Sequence, residues 1–210
     1  MVISSIKDKE IFRIEEEITN QIFYGSNQEW YTKRWQRMAG CGPSTVTNII
    51  YYLNRTRNSE QYTSNLTKSE YLDLMNEIWR FVTPSIGGIS STDMLCKGAQ
   101  KYLTDRKLKI KLDTLDIPKK YDLRPEFKQV ISFIDMALSN DSPVAFLNLD
   151  NGTVEELDSW HWVTIIGLEY SLDDEAAVVD FLDEAMVKKI DFSQWLKTTK
   201  MGGGFVSFEL

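Results

Sequence analysis

Apolar residues recur at helical spacing in four segments of the first part of the chain. The pattern predicts a helix that begins at Cys41 or just after it, with Pro43 in its first turn. A second helix is predicted from the candidate cap Ser69 to a point before "TPSIGG", where proline and glycines stop it. Two more are predicted from about 91 to 103 and from 125 to 138.

In the second half of the chain, the hydrophobic residues no longer recur at helical spacing. The runs "SPVAFLNL", "WHWVTIIGLEY", "AAVVDFL" and "AMVKKIDF" are rich in β-branched and aromatic residues and are separated by turn-forming pieces. We expect an antiparallel meander, completed by a short helix around "SQWLKT" and a last strand in "FVSFEL". A helical N-terminal half packed on an antiparallel sheet from the C-terminal half makes an α+β fold, which we predict to be one domain over residues 1–210.

Composition and charge narrow the possible partners. The chain has 210 residues, of which 42% are hydrophobic, and a formal net charge of -7. A net negative charge without a lysine or arginine cluster argues against nucleic acid as a binding partner. Without an apolar signal region or a run of roughly 18 apolar residues, we expect a cytoplasmic protein that does not span a membrane. The two cysteines, Cys41 and Cys96, are expected to be free thiols in that compartment.

Cys41 is the candidate nucleophile. It lies in "GCGPST", between two glycines and at the start of the predicted helix. A helix N-terminus supplies partial positive charge that stabilises a thiolate, and glycines leave room for a substrate backbone. A buried cysteine in a tight turn is the alternative that this placement leaves open.

The single histidine of the chain is the candidate base. His161 opens a strongly β-forming run, from which an imidazole could face a helix terminus. A Cys/His pair needs a third group that orients the ring, and Asp180, near the end of the next predicted strand, is our choice. Asp183 in the same turn is the competing choice. Gln36, five positions before Cys41 in the expected loop, is the candidate oxyanion donor.

This order of residues resembles the papain-like cysteine peptidases. Gln36, "GCGPST" opening a helix, "HWVTIIG" and an aspartate ending the next strand are most similar to the bacterial branch of bacteriocin-processing peptidases and their stand-alone relatives. The resemblance implies a papain-like fold and a cysteine peptidase or amide-bond hydrolase. Its implied nucleophile is Cys41, with His161 as base, Asp180 as orienting residue and Gln36 as oxyanion donor.

Two alternatives to hydrolysis remain open. The same branch includes acyltransferases with a comparable Cys-His-Asp set, because both reactions pass through a thioacyl enzyme. A catalytically inactive, peptide-binding relative is the other alternative, since the spacing from Gln36 to Cys41 is one residue shorter than the family pattern.

Further stretches bear on substrate binding. The resemblance places Gly87 and Gly88 in a loop bordering the cleft, and Trp160 beside His161 is a candidate substrate contact. The acidic segment "TVEELD" is typical of a solvated loop, with a preference for basic substrates as the alternative. Cys96 is expected to be a buried, inert thiol. With one histidine and two distant cysteines, we expect no metal and no cofactor.

Overall fold

The computed structural model describes residues 1–57 and 65–209. Its helices follow the order α1 Arg34–Ala39, α2 Cys41–Arg57, α3 Lys68–Trp79, α4 Thr92–Asp105, α5 Phe127–Ser139 and α6 Phe192–Thr198. Short 3-10 turns lie at Lys9–Phe12, Gln28–Trp30 and Tyr121–Leu123.

The strands form one large antiparallel sheet and one small hairpin. They are β1 Val2–Ser5, β2 Arg13–Glu15, β3 Ile22–Tyr24, β4 Lys111–Ile117, β5 Val144–Asn148, β6 His161–Ser171, β7 Ala176–Asp183, β8 Met186–Asp191 and β9 Gly203–Glu209. The large sheet has the order β4-β9-β5-β6-β7-β8, and β1 also pairs with β6. Strands β2 and β3 pair with each other.

The predicted meander is present in β5 to β8, but the division into a helical half and a sheet half is wrong. Strands β1 to β4 belong to the first part of the chain, and β1 and β4 join the large sheet through β6 and β9. Strands β1 to β3 have three or four residues and β4 is partly exposed, so long-range pairing decides their conformation. Strand β9 lies between β4 and β5, while Leu210 of "FVSFEL" is outside the described residues.

Helix boundaries follow the caps. The side chain of Thr67 accepts a hydrogen bond from the Glu70 backbone and Glu70 reciprocates, so α3 is capped two residues before the expected Ser69. Ser91 caps α4, whereas α5 is capped by Glu126 and therefore begins two residues after Pro125. The segment containing Gln36, expected as a loop, forms α1.

Helix α2 is the centre of the fold and is joined to β6 by one buried side chain. Asn48 Nδ2 donates to Thr164 Oγ1 at 3.0 Å, while Asn48 Oδ1 accepts from the Ser26 backbone at 2.9 Å and from the Tyr71 hydroxyl at 2.8 Å. Asn48 is 3% exposed. With its polar atoms paired, this residue fixes the helix that begins at Cys41 against the strand that begins at His161.

Candidate active site

Cys41 is the first residue of α2 and is half-buried. Its two glycine neighbours allow close packing: a Cβ on Gly40 would lie 2.8 Å from the Tyr31 ring, and one on Gly42 would lie 2.9 Å from Ile89 Cδ1. Larger residues on either side of Cys41 would therefore push these neighbours away. The glycines bring the N-terminus of α2 close to surrounding chain, and the positive end of the helix dipole lies at the thiol.

His161 is the first residue of β6, and its ring is held between two groups. Its Nε2 lies 2.7 Å from Asp183 Oδ1, which leaves the other ring nitrogen for the Cys41 thiol. Burial alone would lower the pKa of His161, but the hydrogen bonds and charges of Asp183 and Cys41 outweigh it and raise the pKa to about 10. At neutral pH the ring therefore carries a proton.

The structure places Asp183, and not Asp180, against the histidine. Asp180 and Asp183 are three residues apart in β7, so their side chains lie on opposite faces of the sheet. Asp180 instead forms ion pairs with Lys9 at 2.9 Å and with Lys189 at 3.4 Å. The choice of Asp180 as the orienting residue is corrected on this geometry, and the competing choice, Asp183, occupies the position.

Asp183 is a buried carboxylate with two cationic partners. Its side chain is 6% exposed, and Lys188 Nζ lies 2.8 Å from Oδ2 while His161 occupies Oδ1. Burial would raise the pKa of Asp183, but the hydrogen bonds and charges of His161 and Lys188 hold it below its ordinary value. The sequence analysis did not single out Lys188, because the pattern of "VKKI" does not give the register of β8 on β7 and so does not tell which lysine lies on the face of Asp183.

Gln36 does not face this site. The side chain is 7% exposed and its Nε2 donates to Asn76 Oδ1 in α3 at 3.3 Å. Because Gln36 lies in a helix and not in a loop, the direction of its side chain is set by its position on α1. The amide of Gln36 is thus hydrogen-bonded to Asn76 and does not lie where the expected oxyanion donor would.

A cavity of 310 Å³ lies beside the cysteine and the histidine. Besides Cys41, His161 and Asp183, its wall contains Ser26, Asn27, Gln28, Glu29, Ser44, Thr45, Asn48, Asp158, Ser159, Trp162, Leu182 and Glu184. The segment from 26 to 29 was missed by the sequence analysis, and only the capping side chain of Asn27 marks it locally.

The predicted substrate contacts lie outside this cavity wall. Gly87 and Gly88 belong to a turn in which the Gly88 backbone donates to Ser85 O at 2.9 Å, and a Cβ on either glycine would meet open space. Trp162 Nε1 donates to Ile89 O at 2.6 Å and so ties this loop to β6. Trp160 precedes His161, is 60% exposed and has a φ of 58°, which is unusual for a bulky residue.

The chain that leads to His161 is anchored from β5. Asn148, paired directly opposite His161, donates through Nδ2 to Asp158 O at 2.7 Å. Its Oδ1 accepts from Trp195 Nε1 at 2.7 Å. Asn148 is fully buried, so these bonds hold the loop at 149–160 and set the approach of the chain to the histidine.

The second cysteine lies in a different environment. Cys96 is in α4, and burial, with the nearby charge of Asp93, raises the pKa of its thiol to about 11. Both cysteines are free. Within residues 1–57 and 65–209, no group of three or more His, Cys, Asp and Glu side chains could hold a metal ion, and no helix is long and apolar enough to cross a bilayer.

The chain is a mixed arrangement of helices packed on an antiparallel sheet. It is similar to the crystal structure of UfSP from C. elegans, with a TM-score of 0.54 and 12% sequence identity. The match covers 99% of this chain and 34% of that chain, so the present chain spans about a third of the length of UfSP. No family model matches the sequence, and no curated protein matches it. This likeness concerns the fold alone, and the papain-like arrangement and the bacteriocin-processing branch stay predictions.

Proposed function

We propose that this protein is a cysteine peptidase or amide-bond hydrolase, with Cys41 as nucleophile, His161 as general base and acid, and Asp183 as the orienting residue. The observation that carries the proposal is that Cys41 and His161 line the same cavity, with the His161 ring 2.7 Å from Asp183. A nucleophile, a base and a group that orients the base are the components of covalent acyl transfer.

Each residue has a defined part in the reaction. The proton of the thiol resides on the His161 ring, and the Cys41 sulfur attacks the substrate carbonyl carbon as the anion. The protonated ring then gives its proton to the leaving amine as the C–N bond breaks, which leaves a thioester on Cys41. Water attacks the thioester, His161 takes one of its protons, and the acid leaves as the C–S bond breaks, so that the sulfur regains its electron pair and the ring is again protonated.

A small activated ester tests the proposal without knowledge of the natural substrate. On incubation with p-nitrophenyl acetate, we expect release of p-nitrophenolate and an acetyl group on Cys41, located by mass spectrometry after acid quench. Cys41→Ala and His161→Ala should abolish the reaction, while Cys96→Ser should leave it unchanged, because the raised pKa of Cys96 keeps that thiol protonated. Equal turnover by wild type and Cys41→Ala would refute the proposal.

The same experiment separates hydrolysis from transfer. Added glycinamide would be acetylated if the thioester is captured by amines, whereas a hydrolase releases acetate at a rate that glycinamide does not alter. A Cys41 that reacts no faster than Cys96 would favour the peptide-binding alternative.

A further inference from the structure

The cavity beside Cys41 contains polar atoms that the protein itself leaves unpaired. Ser44 Oγ and Gln28 Oε1 are buried and have no hydrogen-bond partner within the described residues 1–57 and 65–209. Ser44 is 6% exposed. The Tyr31 hydroxyl lies near Ser44 but donates to Met75 O at 3.3 Å, so Ser44 Oγ lacks a hydrogen bond of good geometry. Both residues line the cavity, where a bound group would satisfy them.

The charges on the cavity wall are predominantly negative. Besides Asp183, the carboxylates of Glu29, Asp158 and Glu184 line it, while in the described part of the chain no lysine or arginine does. Glu184 pairs with Lys188 at 2.7 Å, and Glu29 lies 3.8 Å from Arg37. Within residues 1–57 and 65–209, the Asp158 carboxylate has no ion pair. Among the carboxylates of Glu29, Asp158 and Glu184, that of Asp158 is therefore the least compensated by positive charge.

We propose that this cavity binds the cationic side chain of a lysine or arginine residue adjacent to the scissile bond of the substrate. The inference rests on the proposed function and names its substrate class. An ammonium has three N–H donors and a guanidinium has five, and neither accepts a hydrogen bond. The wall offers the complementary acceptors in Ser44 Oγ, Gln28 Oε1 and the Asp158 carboxylate. An apolar or acidic side chain would leave these acceptors unpaired or repelled.

Paired affinity labels test this preference. Acetyl-alanyl-arginyl chloromethyl ketone is compared with its citrulline analogue, which has nearly the same shape but no charge; in each case the Cys41 sulfur displaces chloride. The measured quantity is the second-order rate of Cys41 labelling, followed by intact mass. We expect the arginine reagent to label at least ~10-fold faster, the ratio that corresponds to about one charge-assisted hydrogen bond.

A matched pair of variants locates the preference. Asp158→Asn should reduce the ratio of arginine to citrulline rates by ~5-fold, because it removes the least compensated carboxylate. Glu156→Gln removes the same charge two residues away in the same loop, outside the cavity wall, and should leave the ratio unchanged.

Iodoacetamide, a small neutral reagent, distinguishes failure of this inference from failure of the proposed function. Selective iodoacetamide labelling of Cys41 over Cys96, with equal rates for the two ketones or with neither ketone reacting, would overturn the cationic preference and leave the proposed function standing. The same loss of ratio in Asp158→Asn and Glu156→Gln would also overturn it. If iodoacetamide labels Cys41 no faster than Cys96, the proposed function itself fails, and the inference fails with it.

Discussion

Replacing Asp183 by asparagine removes the charge that holds the proton on His161. The carboxylate is 6% exposed and contacts His161 at 2.7 Å and Lys188 at 2.8 Å. The variant keeps the shape of the side chain, so the main change is electrostatic. We expect the pKa of His161 to fall from about 10 towards its ordinary 6.5.

The size of the effect follows from these two values. Because the folded pKa lies above the ordinary one, protonation of His161 stabilises the fold fully below 6.5, and this contribution is lost as pH rises through about 10. At about 1.4 kcal/mol per pH unit, the contribution is at most about 5 kcal/mol, and Asp183→Asn removes much of it. Near pH 7.5 the protonated fraction would fall from nearly complete to about one tenth if the pKa reached its ordinary value. We expect kcat/KM to fall by at least ~10-fold at that pH.

The single histidine makes the measurement unambiguous. A pH titration of the imidazole by two-dimensional NMR reports only His161. Wild type should titrate near 10, and Asp183→Asn at least ~2 pH units lower. Asp180→Asn is the matched control, because Asp180 pairs with Lys9 and Lys189 on the other face of the sheet. Identical midpoints for wild type and Asp183→Asn, or a decrease in Asp180→Asn of the same size, would refute the reasoning.

Three further predictions concern stability, measured by urea unfolding. Lys188→Met should lower the free energy of unfolding by about 1–3 kcal/mol at neutral pH, because it leaves Asp183 with one cationic partner. Because the pKa of Asp183 is held below its ordinary 3.8, this difference should shrink as pH falls through and below that value, and a pH-independent difference would contradict the argument. Asn48→Ala should cost about 2–5 kcal/mol, since buried donors on Ser26 and Tyr71 lose their acceptor, and a loss under about 1 kcal/mol would show that these donors find other partners. Gly202→Ala should lower the free energy of unfolding by ~3 kcal/mol or more, because its φ is +72° and a Cβ would lie 1.9 Å from Ile117 O. Gly87→Ala, whose Cβ would meet open space, should be nearly neutral. Equal losses in the two variants would count against the steric argument.

Local signals in the sequence were sufficient for the elements that carry the nucleophile and the base. Proline in the first turn and apolar spacing predicted a helix from Cys41, and α2 runs from Cys41 to Arg57. The β-branched run after His161 predicted a strand, which is β6. These signals succeed because capping, proline geometry and side-chain periodicity act over a few neighbouring residues.

The contacts between elements were beyond such signals. Gln36 was expected in a loop, yet it lies in α1, and its side chain is directed towards Asn76 in α3. The strands β1 and β4 form through pairing with β6 and β9, at least 86 residues away in each case. Their own residues contain little that distinguishes a strand from an extended loop.

By itself the sequence determined a small set of candidate reactive residues. They are one histidine at the start of a strand, one cysteine at the start of a helix, and two aspartates near the end of the strand after the histidine. Only the tertiary structure decided which aspartate meets His161. The alternation of side chains in β7 puts Asp180 and Asp183 on opposite faces, but the register with β6, shifted by the irregularity between Ile165 and Gly167, decides which face carries the histidine. Register is a property of two paired strands and their surroundings, and so it cannot be read from either strand alone.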